Sequence, residues 1–167
     1  MNSKLKNKIQ KIKLLLTDVD GVLTDGGMYY SLKGDVMKKF FVRDGMGVTL
    51  LRKHGVDTII VTKEKNPIIT QWYKKMKVKK LYDGILDKGE ILNEICKKFN
   101  VMPEQVCYIG DDINDIGLLE KVGFSVVPND GIMDAKKICD YVTDVKGGRG
   151  VLREVADMIL DVQKVKS

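Results

Sequence analysis

The stretch Ile12–Asp25, IKLLLTDVDGVLTD, decides how the rest of the chain is read. An apolar run of strand length, Ile12–Leu16, ends at Thr17, and the chain then turns acidic through Asp18, Asp20 and Asp25. Short apolar runs that stop at turn residues read as buried strands. The same unit recurs downstream: Thr58–Val61 (TIIV) runs into Thr62, Val106–Ile109 (VCYI) runs into Gly110–Asp115 (GDDIND), and Phe124–Val127 (FSVV) follows. Between these runs, Met46–Lys53, Ile68–Lys75 and Glu90–Phe99 carry helical periodicity, with Asn66–Pro67 as cap and first-turn proline of the second. A last helix is predicted over Val151–Val162, after the glycine-rich Gly147–Gly150 (GGRG). Strand and helix in alternation predict an α/β fold, a parallel sheet covered on both faces. One segment breaks the rhythm. Met28–Tyr30 and Val36–Phe41 flank the turn signal Ser31–Asp35 (SLKGD), which reads as a β-hairpin over about residues 27–41, too small to be a cap domain.

Composition narrows the chemistry. At 167 residues the chain is one domain at the usual ~100–200 residues each. We place a basic amino-terminal tail at 1–11, expected as a solvated arm, and a single domain at 12–163. No apolar run approaches the ~20 residues of a membrane span, and Met1–Lys13 is too polar for a secretory segment, so the expected location is cytoplasmic. Cys96, Cys107 and Cys139 are odd in number and far apart, which excludes a disulfide framework and fits reduced thiols. With His54 as the sole histidine, Ser-His-Asp and Cys-His catalysis are excluded, and the chemistry falls to carboxylates and lysines.

The formal charge of +6 is local. The tail and Lys74–Lys80 (KKMKVKK) each bring five lysines without an acid, so the remainder of the chain is net −4. A nucleic-acid binder shows a basic face with aromatic or arginine readers; this distribution does not, and neither nucleic acid nor membrane is an expected partner.

In an open parallel sheet, ligands bind at the carboxyl ends of the strands. Those ends carry Asp18 and Asp20, then Thr62, then Asp111, Asp112 and Asp115, with Lys88 opening a helix between them. Acids gathered in one place repel unless a cation lies among them, and oxygen ligands with a substrate phosphate suit Mg²⁺. The two-residue step from Asp18 to Asp20 points both side chains the same way in an extended segment, so that one attacks while the other handles a proton. Thr62 and Lys88 supply a donor and a positive charge for phosphoryl oxygens.

DVDGVLTD at Asp18–Asp25, Thr62, Lys88 and GDDIND at Gly110–Asp115 resemble, in order, the four motifs of the haloacid dehalogenase superfamily of aspartate-nucleophile phosphatases. The resemblance implies a Rossmann-like three-layer fold, with Asp18 as the nucleophile that becomes an aspartyl-phosphate and Asp20 as acid and then base. It implies Mg²⁺ on Asp18, the backbone carbonyl of Asp20 and Asp111, with Asp115 in support and Asp112 as a partner. The short hairpin, the GGMYY run, VRDGMG at Val42–Gly47 and the late GGRG are further similar to the capless, tetrameric phosphatases of 2-keto-3-deoxy sugar acids, whose neighbouring chains cover one another's sites. That similarity implies a small sugar-acid phosphate as substrate, a homotetramer, and Arg43, Glu64, Lys75 and Arg149 as substrate ligands. VRDG is similar to the 3-deoxy-manno-octulosonate 8-phosphate branch, whereas Glu64–Lys65 and Lys75 are more similar to the nonulosonate 9-phosphate branch. Lys63, where the octulosonate branch commonly has glycine, departs from its pattern.

Two other classes share parts of this pattern. A phospho-aspartate receiver also joins acids, Thr and Lys on a parallel sheet, but it places adjacent acids after the first strand and its phosphorylated Asp later, whereas here DxDG leads. An inactive partner-binding domain predicts missing motif residues, and the core set is complete. Within the superfamily, Asp20 argues against dehalogenases and transport ATPases.

Overall fold

A computed structural model describes residues 1–163. Its centre is a six-stranded parallel sheet whose strands, from edge to edge, are Lys80–Tyr82, Asp57–Val61, Leu14–Thr17, Val106–Ile109, Phe124–Val127 and Tyr141–Val142. The strands are β1 (Leu14–Thr17), β4 (Asp57–Val61), β5 (Lys80–Tyr82), β6 (Val106–Ile109), β7 (Phe124–Val127) and β8 (Tyr141–Val142). The separate antiparallel pair β2 (Tyr29–Ser31) and β3 (Gly34–Met37) is the hairpin. The helices are α1 (Ser3–Ile9), α2 (Val42–Lys53), α3 (Pro67–Met76), α4 (Leu92–Phe99), α5 (Ile116–Leu119), α6 (Met133–Ile138) and α7 (Val151–Val162). The order reverses around β1, which pairs with β4 on one side and β6 on the other. Loops leaving β1, β4 and β6 therefore diverge around one crevice, where such sheets bind ligands.

Why the strands read as continuous apolar runs is visible in the core. Leu15, Ile60, Cys107, Ile109, Phe124 and Val126 pack on one face with α2 and α7. Leu14, Leu16, Ile59, Val61, Val106, Tyr108 and Val127 pack on the other with α4 and α5. Both faces are covered, so alternation leaves no polar side. On the first face α2 and α7 approach so closely that a Cβ on Gly47 would lie 2.9 Å from Leu152 Cδ2 and 3.2 Å from the Arg153 backbone.

The predicted strands over Val106–Ile109 and Phe124–Val127 and the last helix fall on their expected bounds. Asn66 caps α3 by accepting from the Ile68 N–H at 2.8 Å, ahead of Pro67. Three differences have physical causes. Helix α2 starts at Val42, before the expected Met46, and includes Gly45 and Gly47, which cost helix propensity but admit the neighbouring helices. Strand β3 ends at Met37, and Phe40 leaves the hairpin to stack on Trp72, centroids 4.9 Å apart at 14°. Strands β5 and β8 lie at the two edges, and their residues are only partly buried, so no apolar run marks them.

The amino-terminal segment is not a solvated arm. Residues Ser3–Ile9 form α1, capped by Asn2, with Ile9 fully buried in the core. Lys8 pairs with Asp140 beside β8, and the Gln163 side chain donates to the carbonyls of Ile9 (3.0 Å) and Ile12 (2.7 Å). The lysines obscured a helix whose inner side is Leu5 and Ile9. Among the described residues, no helix is long and apolar enough to cross a membrane.

Candidate active site

The ladder of β1 continues one residue past its end, with the Asp18 N–H donating to Ile109 O at 2.9 Å. Immediately afterwards the N–H groups of Val22, Leu23 and Thr24 all turn back onto Val19 O. This tight loop carries Asp18 and Asp20 over the sheet edge. Gly21 has φ +81°, and a Cβ there would overlap the Asp111 carboxylate, so the first and last motifs touch through a glycine.

Lys88 is fully buried. Its Nζ lies 2.8 Å from Asp18 Oδ2 and 2.6 Å from Asp115 Oδ1. Burial alone would push the Lys88 ammonium down, but Asp18 and Asp115 outweigh it and hold its pKa raised. Asp115 is also fully buried and is saturated with donors. Oδ1 accepts from Lys88 and from the Tyr108 hydroxyl (2.5 Å), and Oδ2 accepts from the N–H groups of Asp111 (2.7 Å) and Asp112 (3.1 Å). A carboxylate offers about four lone-pair positions, so Asp115 is spent on fixing its neighbours.

Asp18, Asp111 and Asp115 each bring a carboxylate oxygen within 4.8 Å of the others. Burial raises Asp18 to about 7 despite Lys88, and burial with the nearby acids raises Asp111 to about 8. Asp111 Oδ1 is buried without a hydrogen-bond partner among the described residues. Hard oxygens, excess negative charge and an unpaired buried carboxylate oxygen fit Mg²⁺, with Asp18 and Asp111 as the acids of the cluster left over once Asp115 is satisfied.

The cleft above these groups has a volume of about 290 Å³ and is lined by Asp18, Asp20, Lys38, Thr62, Glu64 and Asp111 among others. Thr62 follows β4 and is buried; its hydroxyl accepts from the Glu64 N–H at 3.3 Å. Thus Asp18, Asp20, Thr62, Lys88, Asp111 and Asp115 converge, and Glu64 stands at the rim. Arg43 and Lys75 do not join them: both line a second groove of about 560 Å³ between α2 and α3, with Arg52 and Arg153. Arg149 is exposed in the loop before α7.

Two site residues escaped the sequence reading. Tyr108 could have been found, because a tyrosine inside a fully buried strand needs a partner for its hydroxyl. Lys38 could not, since nothing local places a hairpin lysine beside Asp20; its Nζ is 2.8 Å from Asp20 Oδ1.

The family model for haloacid dehalogenase-like hydrolases matches residues 48–155. The 3-deoxy-D-manno-octulosonate 8-phosphate phosphatase of Haemophilus influenzae is 35% identical, over 95% of this chain and 88% of that protein. The chain belongs to the haloacid dehalogenase-like hydrolases. The Escherichia coli K12 protein of the same name is 37% identical to this hydrolase, over 93% of this chain and 83% of its own. The crystal structure of the Yersinia pestis octulosonate phosphatase superposes with a TM-score of 0.95 at 36% identity, covering 98% of this chain and 89% of that one. That of the Moraxella catarrhalis phosphatase, in complex with magnesium, phosphate and KDO, gives 0.94 at 31%, covering 98% and 94%. These neighbours share the three-layer fold of this hydrolase.

Proposed function

We propose that this protein is a Mg²⁺-dependent phosphatase that hydrolyses the phosphomonoester of a 2-keto-3-deoxy sugar acid, 3-deoxy-D-manno-octulosonate 8-phosphate. The observation that carries the reading is Asp18, buried at the end of β1 against Lys88 and facing a cleft that Asp20 and Asp111 share. Its relatives' names and the KDO-bound neighbour support the substrate.

Asp18 attacks phosphorus. As the bond from phosphorus to the sugar oxygen breaks, Asp20 gives that oxygen a proton, and an aspartyl-phosphate remains. Water then attacks the phosphorus, its proton returns to Asp20, and Asp18 is released. Lys88 holds a positive charge against Asp18 through both steps, while the Thr62 hydroxyl and Lys88 receive phosphoryl oxygens. Asp18, Asp111 and the Asp20 carbonyl would hold Mg²⁺, with Asp115 fixing the loop that carries Asp111. When bound, Mg²⁺ neutralises the acids and draws charge from the phosphoryl oxygens.

We assign residues 12–163 as the catalytic unit, preceded by the basic segment 1–11, in a cytoplasmic homotetramer. Support for assembly comes from the exposed Met28, Tyr30, Leu32 and Met37 of the hairpin. Arg43 and Lys75 line a groove apart from their own cleft, which supports their meeting substrate across a subunit boundary, and we assign Arg149, exposed in the loop before α7, as a further substrate ligand. Glu64 at the cleft rim favours a second reading, a nonulosonate 9-phosphate such as that of KDN or N-acylneuraminate.

Phosphate release from the octulosonate 8-phosphate and the nonulosonate 9-phosphates, measured side by side, tests the assignment. A higher kcat/KM on the octulosonate is expected, and the reverse order transfers the protein to the second reading. Asp18→Asn is expected to abolish release with the fold intact; a rate near that of the parent would remove Asp18 as nucleophile.

A further inference from the structure

The hairpin does more than present an exposed outer face. Lys38, just past β3, turns inward, and its side chain is only 4% exposed. Its Nζ bridges Asp20 Oδ1 at 2.8 Å and Asp35 Oδ2 at 3.4 Å. Asp35 Oδ2 in turn accepts from Asn66 Nδ2 at 3.0 Å, and the Oδ1 of that same Asn66 caps α3. A chain of polar contacts thus runs from the loop after β1, through the hairpin, to the loop after β4.

The two oxygens of Asp20 are treated unequally. Oδ1 accepts from Lys38 and from the Thr24 hydroxyl at 3.2 Å. Oδ2 is buried and meets no partner among the described residues. Two donors from different segments, both on one oxygen, stop the carboxyl group from rotating about its Cβ–Cγ bond and exchanging its oxygens. The carboxyl group is thereby held in one orientation between the loop after β1 and the hairpin.

We infer that Lys38 is a positioning residue for the phosphatase reaction: by gripping Oδ1 of Asp20 it fixes the orientation in which that carboxyl group gives a proton to the leaving alcohol and takes one back from water. The inference rests on the function proposed above. In the first step the P–O bond to the leaving group breaks, its electron pair stays on that oxygen, and the proton of the Asp20 carboxyl group joins it. In the second, water loses a proton to the Asp20 carboxylate as its oxygen bonds phosphorus and the bond to Asp18 breaks.

A leaving group that needs no proton separates this role from general damage. An alkyl phosphate such as octulosonate 8-phosphate depends on protonation, and p-nitrophenyl phosphate does not. Lys38→Met is expected to lower kcat on the alkyl phosphate on the order of 100-fold with KM unchanged, while p-nitrophenolate release in the first turnover stays within about threefold. Lys38→Arg, which keeps the charge, should recover part of the loss. Trp72, the sole tryptophan, stacks on Phe40 two residues from Lys38, and its emission reports whether the hairpin has stayed in place. If that emission moves in Lys38→Met, Asp35→Asn is the variant to measure, with the same split expected at smaller size.

Equal losses on both substrates in the first turnover, a change in KM alone, or no change would overturn the inference. Asp20→Asn serves as the control. Should the parent and Asp20→Asn show the leaving-group split while both hairpin variants lack it, only the role of Lys38 fails. Should the parent release phosphate from neither substrate, the phosphatase reading itself fails.

Discussion

Two lysines in this molecule each bridge two acids, and they do so from opposite kinds of ground. Lys88 stands in the core, fully buried, between Asp18 and Asp115, which is itself bound by Tyr108 and two backbone N–H groups. Lys38 comes from a small hairpin whose outer residues Tyr30, Leu32 and Met37 are exposed, and it bridges Asp20 and Asp35. The difference follows what each acid has to do. Asp115 must stay where it is, and a buried carboxylate with every position filled is rigid, whereas Asp18 gives Oδ2 to Lys88 and keeps its other oxygen for the reaction. Asp20 must change protonation within each turnover, and it is held by one oxygen only.

The contrast is broken most severely at Lys88. Lys88→Met leaves Asp18 and Asp115 buried without their cation, and removing one partner of a buried pair costs about 3–5 kcal/mol. Urea unfolding should show that loss together with loss of activity, whereas Lys38→Met should cost less, because Asp20 and Asp35 keep some contact with water (31% and 14% exposed) that can solvate them once the lysine is gone. Equal destabilisation by the two variants would erase the distinction between a core grip and a hairpin grip.

Metal binding sharpens it next. Because Asp111 Oδ1 is unpaired beside Asp18, Mg²⁺ should raise the thermal midpoint of the parent and of Lys38→Met alike, by mass action on the folded state. Asp111→Asn should abolish the rise. A rise that survives in Asp111→Asn places the cation elsewhere, and EDTA that leaves phosphate release untouched removes it from the reaction.

The smallest effect concerns an acid with no lysine at all. Asp44, near the start of α2, is fully buried and accepts from the Arg153 N–H of α7 at 2.9 Å. Its other oxygen is unpaired among the described residues. Burial raises Asp44 from the ordinary 3.8 to about 7, against the backbone N–H groups of Arg153 and Leu152 that favour the carboxylate. A carboxyl group raised on folding contributes stability that is fully present below its unfolded value and is lost as the pH rises through about 7. Asp44→Asn should therefore flatten the fall of the unfolding midpoint between pH 4 and pH 7, leaving a shallower curve than the parent's. Parallel curves would mean that Asp44 is ionised without penalty in the folded protein.

What could be read before folding was what is local in the chain. The strand read at Ile12–Leu16 (β1, Leu14–Thr17, in the structure) and its acidic loop, the GDDIND turn, and the Asn66–Pro67 helix start are contiguous patterns whose physics acts over a few residues. The edge strands β5 and β8 and the helix α1 were not legible, because partial burial and lysine-rich composition mask their inward sides. Nor was the position of Arg43 and Lys75, which share a groove between α2 and α3 that no spacing announces.

The sequence by itself determined the doubly covered sheet and the acids that meet at its carboxyl edge, since apolar runs choose their strands and strand ends choose their loops. Tertiary structure alone decided the state of each acid. Asp115 is saturated because Tyr108 and Lys88 arrive from other elements, and Asp20 is gripped on one oxygen because a hairpin folds back to bring Lys38 to it. Those contacts depend on distances between segments far apart in the chain, and only the packed molecule sets them.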